Sequence, residues 1–230
     1  MANARAPIPS LDGLRAISFS IVFLSHAGLS NIVPGGFGVT VFFFLSGYLI
    51  TTLLRIELER TGRVSLRKFY VRRALRILPP FYLVLFFAVV VAQVGSPNDT
   101  FTWAGIAAQC FHIANYWIVF RGWSDFPPGT GVYWSLAVEE HFYLLFPLLY
   151  MFLHKLGVTR PRQAGVLLLL CLVALLWRFV LTVALDAPSD RVFVATDTRF
   201  DSILFGCALA VWGNPSLEPT RIDERVWKYA

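Results

Sequence analysis

Arg15 and His26 sit in the stretch LDGLRAISFSIVFLSH, residues 11–26, which otherwise reads as the first apolar segment of the chain. On an α-helix their eleven-residue spacing is three turns plus about 20°, so both side chains leave one face, roughly 16 Å apart along the axis. A charged residue at the centre of a membrane helix costs about 2.5–3.5 kcal/mol on insertion scales, and a cost of that size marks a functional site by default. The plainer readings are an Asp12–Arg15 pair at the helix start and a histidine that packs between helices. The chemical reading is a histidine general base whose tautomer is set by a carboxylate that also steadies the imidazolium. Glu139 and Glu140, followed by His141, supply carboxylates at membrane depth. Adjacent helical residues diverge by about 100°, so both are not expected to face one partner, and the spacing does not choose between them.

A second set is cationic. Arg55, Arg60, Arg63, Arg67, Lys68, Arg72, Arg73 and Arg76 lie between two apolar runs, against only Glu57 and Glu59. As topology, this is a cytoplasmic face that also attracts anionic lipid head groups. As chemistry, Arg72, Arg73 and Arg76 stand just before a span, with Arg72 and Arg76 on one helix face, and guanidinium forks suit phosphates. Trp103, Trp117, Trp123, Tyr133 and Trp134 read first as an interfacial aromatic belt on the outer side, and second as stacking surfaces for sugar rings. Arg178 reads as an outer arginine that snorkels to the interface, while Asp197 and Asp201 are further charges at depth. Cys110, Cys171 and Cys207 lie in apolar segments without metal-ligand spacing, so they read as packing residues and no metal site is expected.

These residues need elements to hold them. The 230-residue chain is 57% hydrophobic and 15% charged, against about 45–50% and 25% for soluble domains. Its long uncharged runs predict an all-α, polytopic transmembrane helical bundle, read as a single domain over 1–230. The net charge of +6 is concentrated beside apolar runs, which points to a membrane face and away from nucleic acid. Spans are expected near 14–29, 36–54, 77–94, 133–153, 164–185 and 197–212. Pro79-Pro80 suits the start of the third, Pro147 predicts a kink, and turns or loops are expected at 31–36, 95–99 and 121–132.

A cleaved signal peptide, with Arg5 as its basic region and Ser25-His26-Ala27 as its cleavage site, is disfavoured because Arg15 interrupts it and further spans follow. The positive-inside rule puts the N-terminus in the cytoplasm, Arg15 near the inner face and His26 towards the outer half. Lys155, Arg160 and Arg162 place 154–162 inside as well. The two assignments agree only if 102–120, with Gln109, His112 and Asn115, is interfacial or re-entrant rather than spanning. The polar tail 213–230 is then cytoplasmic.

Taken together, LDGLRA at 11–16, the Arg15–His26 spacing, GGFGVTVFFFLSGYLIT at 35–51, FYVRRALRILPPFY at 69–82, YWSLAVEEHFYLLFPLL at 133–149 and DTRFDSILFGCALA at 197–210 resemble the integral-membrane acyltransferase-3 family. The resemblance covers most of the chain in family order. It implies transfer of an acyl group, most often acetyl, from cytosolic acyl-coenzyme A to a hydroxyl of a cell-envelope carbohydrate such as lipopolysaccharide or peptidoglycan, or of a related acceptor. It further implies a multi-pass protein of the bacterial inner membrane. His141 stands where the family usually has glutamine. The family domain has more spans than the six or seven read here, so the chain is expected to be a fragment or a truncated member.

By position, the resemblance makes His26 and Arg15 the signature pair, with Glu139 or Glu140 and Arg72 and Arg73 in the other signature blocks. On this reading His26 deprotonates the acceptor hydroxyl, Glu139 or Glu140 orients it, and Arg15 holds a donor phosphate or the developing oxyanion. Arg72, Arg73 and Arg76 gather the coenzyme A phosphates at the inner surface. A carrier or proton-coupled exporter explains the buried Arg, His and Glu residues equally well but leaves the arginine cluster without a role. An inactive membrane scaffold is the third reading.

Overall fold

The computed structural model describes residues 9–95, 101–215, 217 and 218. The expected turn at 96–99, the cleavage signal's Arg5 and most of the polar tail fall outside them. Among the described residues the chain is all-α, with nine α-helices joined by short turns. Four helical stretches are long and apolar enough to cross a membrane: Gly35–Thr61, Leu66–Gly95, Thr130–Lys155 and Arg160–Ala184. Their uncovered faces are apolar, as with Leu83, Phe86 and Phe87 on the second and Leu169, Leu172 and Leu176 on the fourth. Outward apolar residues and inward polar ones suit a lipid surround.

Two compact units are distinguished. The first holds the chain up to Ile56, Val158–Leu169 and the chain from Ser202; the second holds Glu57–Gly157 and Leu170–Asp201.

In the first unit, α1 (Pro9–Leu24) ends in a wide helical turn, Ser25–Leu29, where Ala27 and Gly28 leave helical geometry and Gly28 takes φ +97°. The turn at 30–34 follows, with Val33 N–H donating to the Leu29 carbonyl at 2.8 Å. Then α2 (Gly35–Thr61) runs well past the expected end at Leu54. It packs on α9 (Thr196–Val211) through glycines of both helices. A Cβ on Gly47 would sit 2.0 Å from the Ile203 carbonyl oxygen, and one on Gly206 would sit 2.0 Å from that of Phe44. Small residues on both sides let the backbones approach this closely.

Polar residues at the end of α9 fasten the same contact. Asn214 accepts from the Tyr48 hydroxyl at 2.6 Å and donates to Thr52 Oγ1 at 2.9 Å. Arg55, 2% exposed, donates to the carbonyls of Ala210 at 2.6 Å and Val211 at 3.1 Å and pairs with Glu218 at 3.0 Å. A guanidinium here satisfies orphan carbonyls and complements the negative helix end. Arg55 is therefore a buried helix cap rather than part of a surface basic stretch. Spacings of four and three put Tyr48, Thr52 and Arg55 on one face of α2.

In the second unit the basic stretch is helical rather than a loop. Only residues 62–65 separate α2 from α3 (Leu66–Gly95), with Gly62 at φ +70° making the turn. Glu57 accepts from the Ser65 N–H at 2.9 Å and fixes the corner. The expected helix start at Pro79-Pro80 is corrected: α3 begins thirteen residues earlier and both prolines lie inside it. An interior proline removes an N–H donor, so the carbonyls of Leu75 and Arg76 lose their ordinary partners.

Residues 102–120 form α4 (Trp103–Cys110) and α5 (Ala114–Arg121) with a corner between them. At 1.5 Å per residue each is about 12 Å long, too short to cross a layer of about 30 Å. The remaining elements are α6 (Tyr133–Lys155), which continues through Pro147, then α7 (Arg160–Phe179) and α8 (Ser189–Val194). No local pattern signalled α8 in advance. The expected spans at α1 and α9 are 16-residue α-helices, about 24 Å long, below the length that crosses unaided.

Gly47→Ala forces a methyl into the Ile203 carbonyl. The expected loss is about 1–3 kcal/mol, seen as a lower melting temperature in detergent. Gly165→Ala, where an added Cβ meets nothing within 4 Å, is the control and is expected to leave the melting temperature unchanged.

Candidate functional site

The predicted site residues fall in both units. In the first, Arg15 is partly exposed and pairs with Asp12 at 3.7 Å across one helical turn. His26 lies beyond α1, in the wide turn that ends it. Its Nδ1 is 2.8 Å from the Val22 carbonyl oxygen. A carbonyl only accepts, so Nδ1 carries the hydrogen and the neutral ring presents its lone pair at Nε2. The Val22 carbonyl, four residues back, thus holds Nδ1. Such a base is oriented by its own helix.

In the second unit, Glu139 accepts from the Tyr143 hydroxyl at 2.8 Å, one helical turn along α6. The Arg73 guanidinium lies over the Tyr143 ring, 4.6 Å from its centroid, and its charge interacts with both Glu139 and Glu140. Arg73, Tyr143 and the two glutamates thus form one charged constellation between α3 and α6. Glu140 Oε1 is buried and has no hydrogen-bond partner among the described residues. Arg72 points elsewhere, to Glu57 at 3.2 Å, and Arg76 is exposed. The three arginines expected to act together are divided by helical geometry, since neighbours at 72 and 73 diverge by about 100°.

A polar network joins α5, α6 and α9. The Asn115 amide donates to Thr196 Oγ1 at 2.7 Å, and His141 Nδ1 meets the same hydroxyl at 2.8 Å. Asp197 is held by Arg191, by the Trp177 indole N–H at 2.7 Å and by the Tyr116 hydroxyl at 3.3 Å. Arg178 is not a snorkelling residue: it pairs with Asp201 at 2.6 Å, joining α7 to α9. Arg199 lies near the rings of Trp134 and Phe193. Trp134 is 6% exposed, so it belongs to the interior and not to an aromatic belt. Cys171 and Cys207 are buried and donate weakly to the Asp201 and Gly47 carbonyls.

The α4–α5 corner carries His112, which takes φ +55°. This region costs an L-residue about 1–2 kcal/mol. The backbone bonds from His112 N–H to Gln109 O, 2.9 Å, and from Ile113 N–H to Ala108 O, 2.8 Å, hold it there. Its ring packs on Phe81 at 4.8 Å, and Nε2 is buried without a partner among the described residues. Burial pushes this imidazole below its ordinary pKa, and nearby His141 adds to the effect.

Sequence reasoning did not single out Tyr143, Asn115, Thr196 or His112 as members of a site. The i, i+4 spacing of Glu139 and Tyr143 was a legible signal. Nothing local connects Asn115 with Thr196, 81 residues away.

A family model described as an acyltransferase domain, that of the acyltransferase-3 family, matches residues 8–215. The peptidoglycan O-acetyltransferase OatA of Listeria monocytogenes is 35% identical over 223 residues, covering 94% of this chain and 36% of that protein. The O-acetyltransferase OatA of Staphylococcus aureus is 33% identical over 212 residues, covering 89% of this chain and 35% of that protein. The chain therefore spans about a third of the length of these relatives. No solved structure matches it.

Thr196→Val removes the hydroxyl that both Asn115 and His141 use. The expected cost is about 1–3 kcal/mol per buried group left without a partner, read by thermal melting in detergent. The depressed His112 pKa gives a second expectation. A histidine whose folded pKa lies below its unfolded value contributes stability that is fully present above the unfolded pKa and is lost as pH falls through the folded one. Melting temperature is therefore expected to drop on acidification below about pH 6.5, and to drop less in His112→Asn.

Proposed function

The chain belongs to the acyltransferase-3 family, and on that footing we propose that it transfers an acyl group, most simply acetyl, from acyl-coenzyme A to a hydroxyl of a cell-envelope carbohydrate. Peptidoglycan is the favoured acceptor, since it is what the name of the Listeria relative specifies. In this reading the protein sits in a bacterial inner membrane with its N-terminus and the arginines of α3 on the cytoplasmic side.

The observation that carries the reading is the His26 tautomer. With Nδ1–H committed to the Val22 carbonyl, Nε2 is the basic nitrogen, exposed at the end of an apolar helix. Nε2 takes the proton of the acceptor hydroxyl as its oxygen attacks the thioester carbonyl. The tetrahedral oxyanion collapses, the carbon–sulfur bond breaks, and the proton leaves His26 for the coenzyme A thiolate. The reaction is thus balanced in protons, and the base is regenerated.

Arg15 supplies a positive charge for a donor phosphate or the oxyanion. Arg72 and Arg76, four residues apart on the outer face of α3, suit the coenzyme A phosphates. Arg73 is turned towards Tyr143, so its part is to balance the charge of Glu139 and Glu140. Those carboxylates are assigned to the charged interior of the second unit, where loss of either changes the field around Arg73.

His26→Ala is expected to lower acyl transfer in cells by about a hundredfold or more while membrane insertion stays normal. Wild-type transfer in that variant removes the base assignment. Arg72→Gln with Arg76→Gln is expected to weaken coenzyme A binding in detergent. Unchanged binding of acetyl-coenzyme A by this double variant removes the donor-site assignment.

A further inference from the structure

We propose that the α4–α5 corner, with His112 Nε2 at its centre, binds a hydroxyl group of the carbohydrate acceptor. The inference rests on the acyl-transfer reading above and adds to it a place and a residue for acceptor recognition.

Three observations converge on this corner. The first is the backbone. In the second unit positive φ is taken by Gly62, Gly122, Gly129 and Gly157 and by two residues with a side chain, Asp186 and, at the corner, His112. Glycine takes that conformation without the steric cost of a Cβ, so keeping an imidazole at this corner carries a backbone cost that glycine would avoid. The second is the ring. It is fixed against Phe81, itself 4.8 Å from Tyr133, and it keeps Nε2 buried with no partner among the described residues. The third is the company. Within six residues of sequence the Gln109 and Asn115 amides spend their N–H groups on Thr130 and Thr196, leaving Gln109 Oε1 and Asn115 Oδ1 buried with no partner among the described residues.

The chemistry of these groups selects the ligand. Gln109 Oε1 and Asn115 Oδ1, which only accept, disfavour an anion beside them. A hydroxyl both donates and accepts, so it suits an amide oxygen and either protonation state of the imidazole nitrogen. Hydroxyl-rich carbohydrate is the class that fits.

The test uses the full chain in nanodiscs, with acetyl-coenzyme A as donor and the N-acetylglucosamine tetramer chitotetraose as acceptor. Binding is followed by tryptophan fluorescence and transfer by acetate incorporation. His112→Gly removes the imidazole and relieves the backbone, so it is expected to melt at or above the wild-type temperature. Its KM for chitotetraose is expected to rise by about tenfold, the worth of one hydrogen bond, with the KM for acetyl-coenzyme A unchanged. His112→Asn tolerates the same backbone and restores a polar group, so it is expected to recover part of the loss.

An unchanged acceptor KM in His112→Gly overturns the subsite and leaves acyl transfer standing. A lower melting temperature with equal losses for both substrates marks His112 as structural and also overturns it. Wild-type protein that binds chitotetraose, and loses that binding in His112→Gly, but transfers nothing supports the subsite and overturns the acyl-transfer reading. Wild-type protein that neither binds nor acylates the tetramer overturns both.

Discussion

An ionised carboxylate among apolar helices is tenable only beside a cation or several donors, and the start of α9 meets that condition at Asp197 and Asp201. Asp197 takes Arg191, Trp177 and Tyr116; Asp201 takes Arg178; Thr196 takes Asn115 and His141; Arg199 lies over aromatic rings. These partners come from α5, α6, α7 and α8. Few hydrophobic contacts would specify the arrangement so tightly, because lipid is as apolar as leucine and drives no helix association of its own. Directional bonds that are costly to leave unmade do specify it.

The same logic separates two kinds of charged residue in this protein. Arg55, Arg178 and Asp201 are largely consumed by structural partners that cap a helix or join two helices. His26 is different: a single backbone bond orients its ring and leaves the basic nitrogen exposed. The Arg73–Tyr143–Glu139 group stands between these cases, internally paired yet bordered by Glu140 Oε1, which has no partner among the described residues.

Much of the design was legible in advance because membranes restrict the chain to helices and because helical geometry is periodic. The long apolar runs identified α2, α3, α6 and α7. The polar residues of 102–120 argued against a span, and the structure gives two helices too short to make one. Errors arose where a local signal met a tertiary override. Pro79-Pro80 read as a helix start, but packing carries α3 through both prolines. Arg55 read as a surface cation, but the end of α9 claims it. Arg178 read as reaching for the interface, but Asp201 lies within bonding distance.

The sequence by itself determined the helical class and the family, and it singled out Arg15, His26, Glu139 and Glu140 as candidates, since composition, spacing and charge are properties of the chain alone. Only the tertiary structure decided what each polar group touches. It gave His26 Nδ1 a backbone carbonyl, turned Arg73 towards Tyr143 while Arg72 pairs with Glu57, and set His112 at positive φ. The reason is directional. Hydrogen bonds and ion pairs act over a few ångströms at particular angles, and residues as far apart as Asn115 and Thr196 meet those conditions only once the helices are placed.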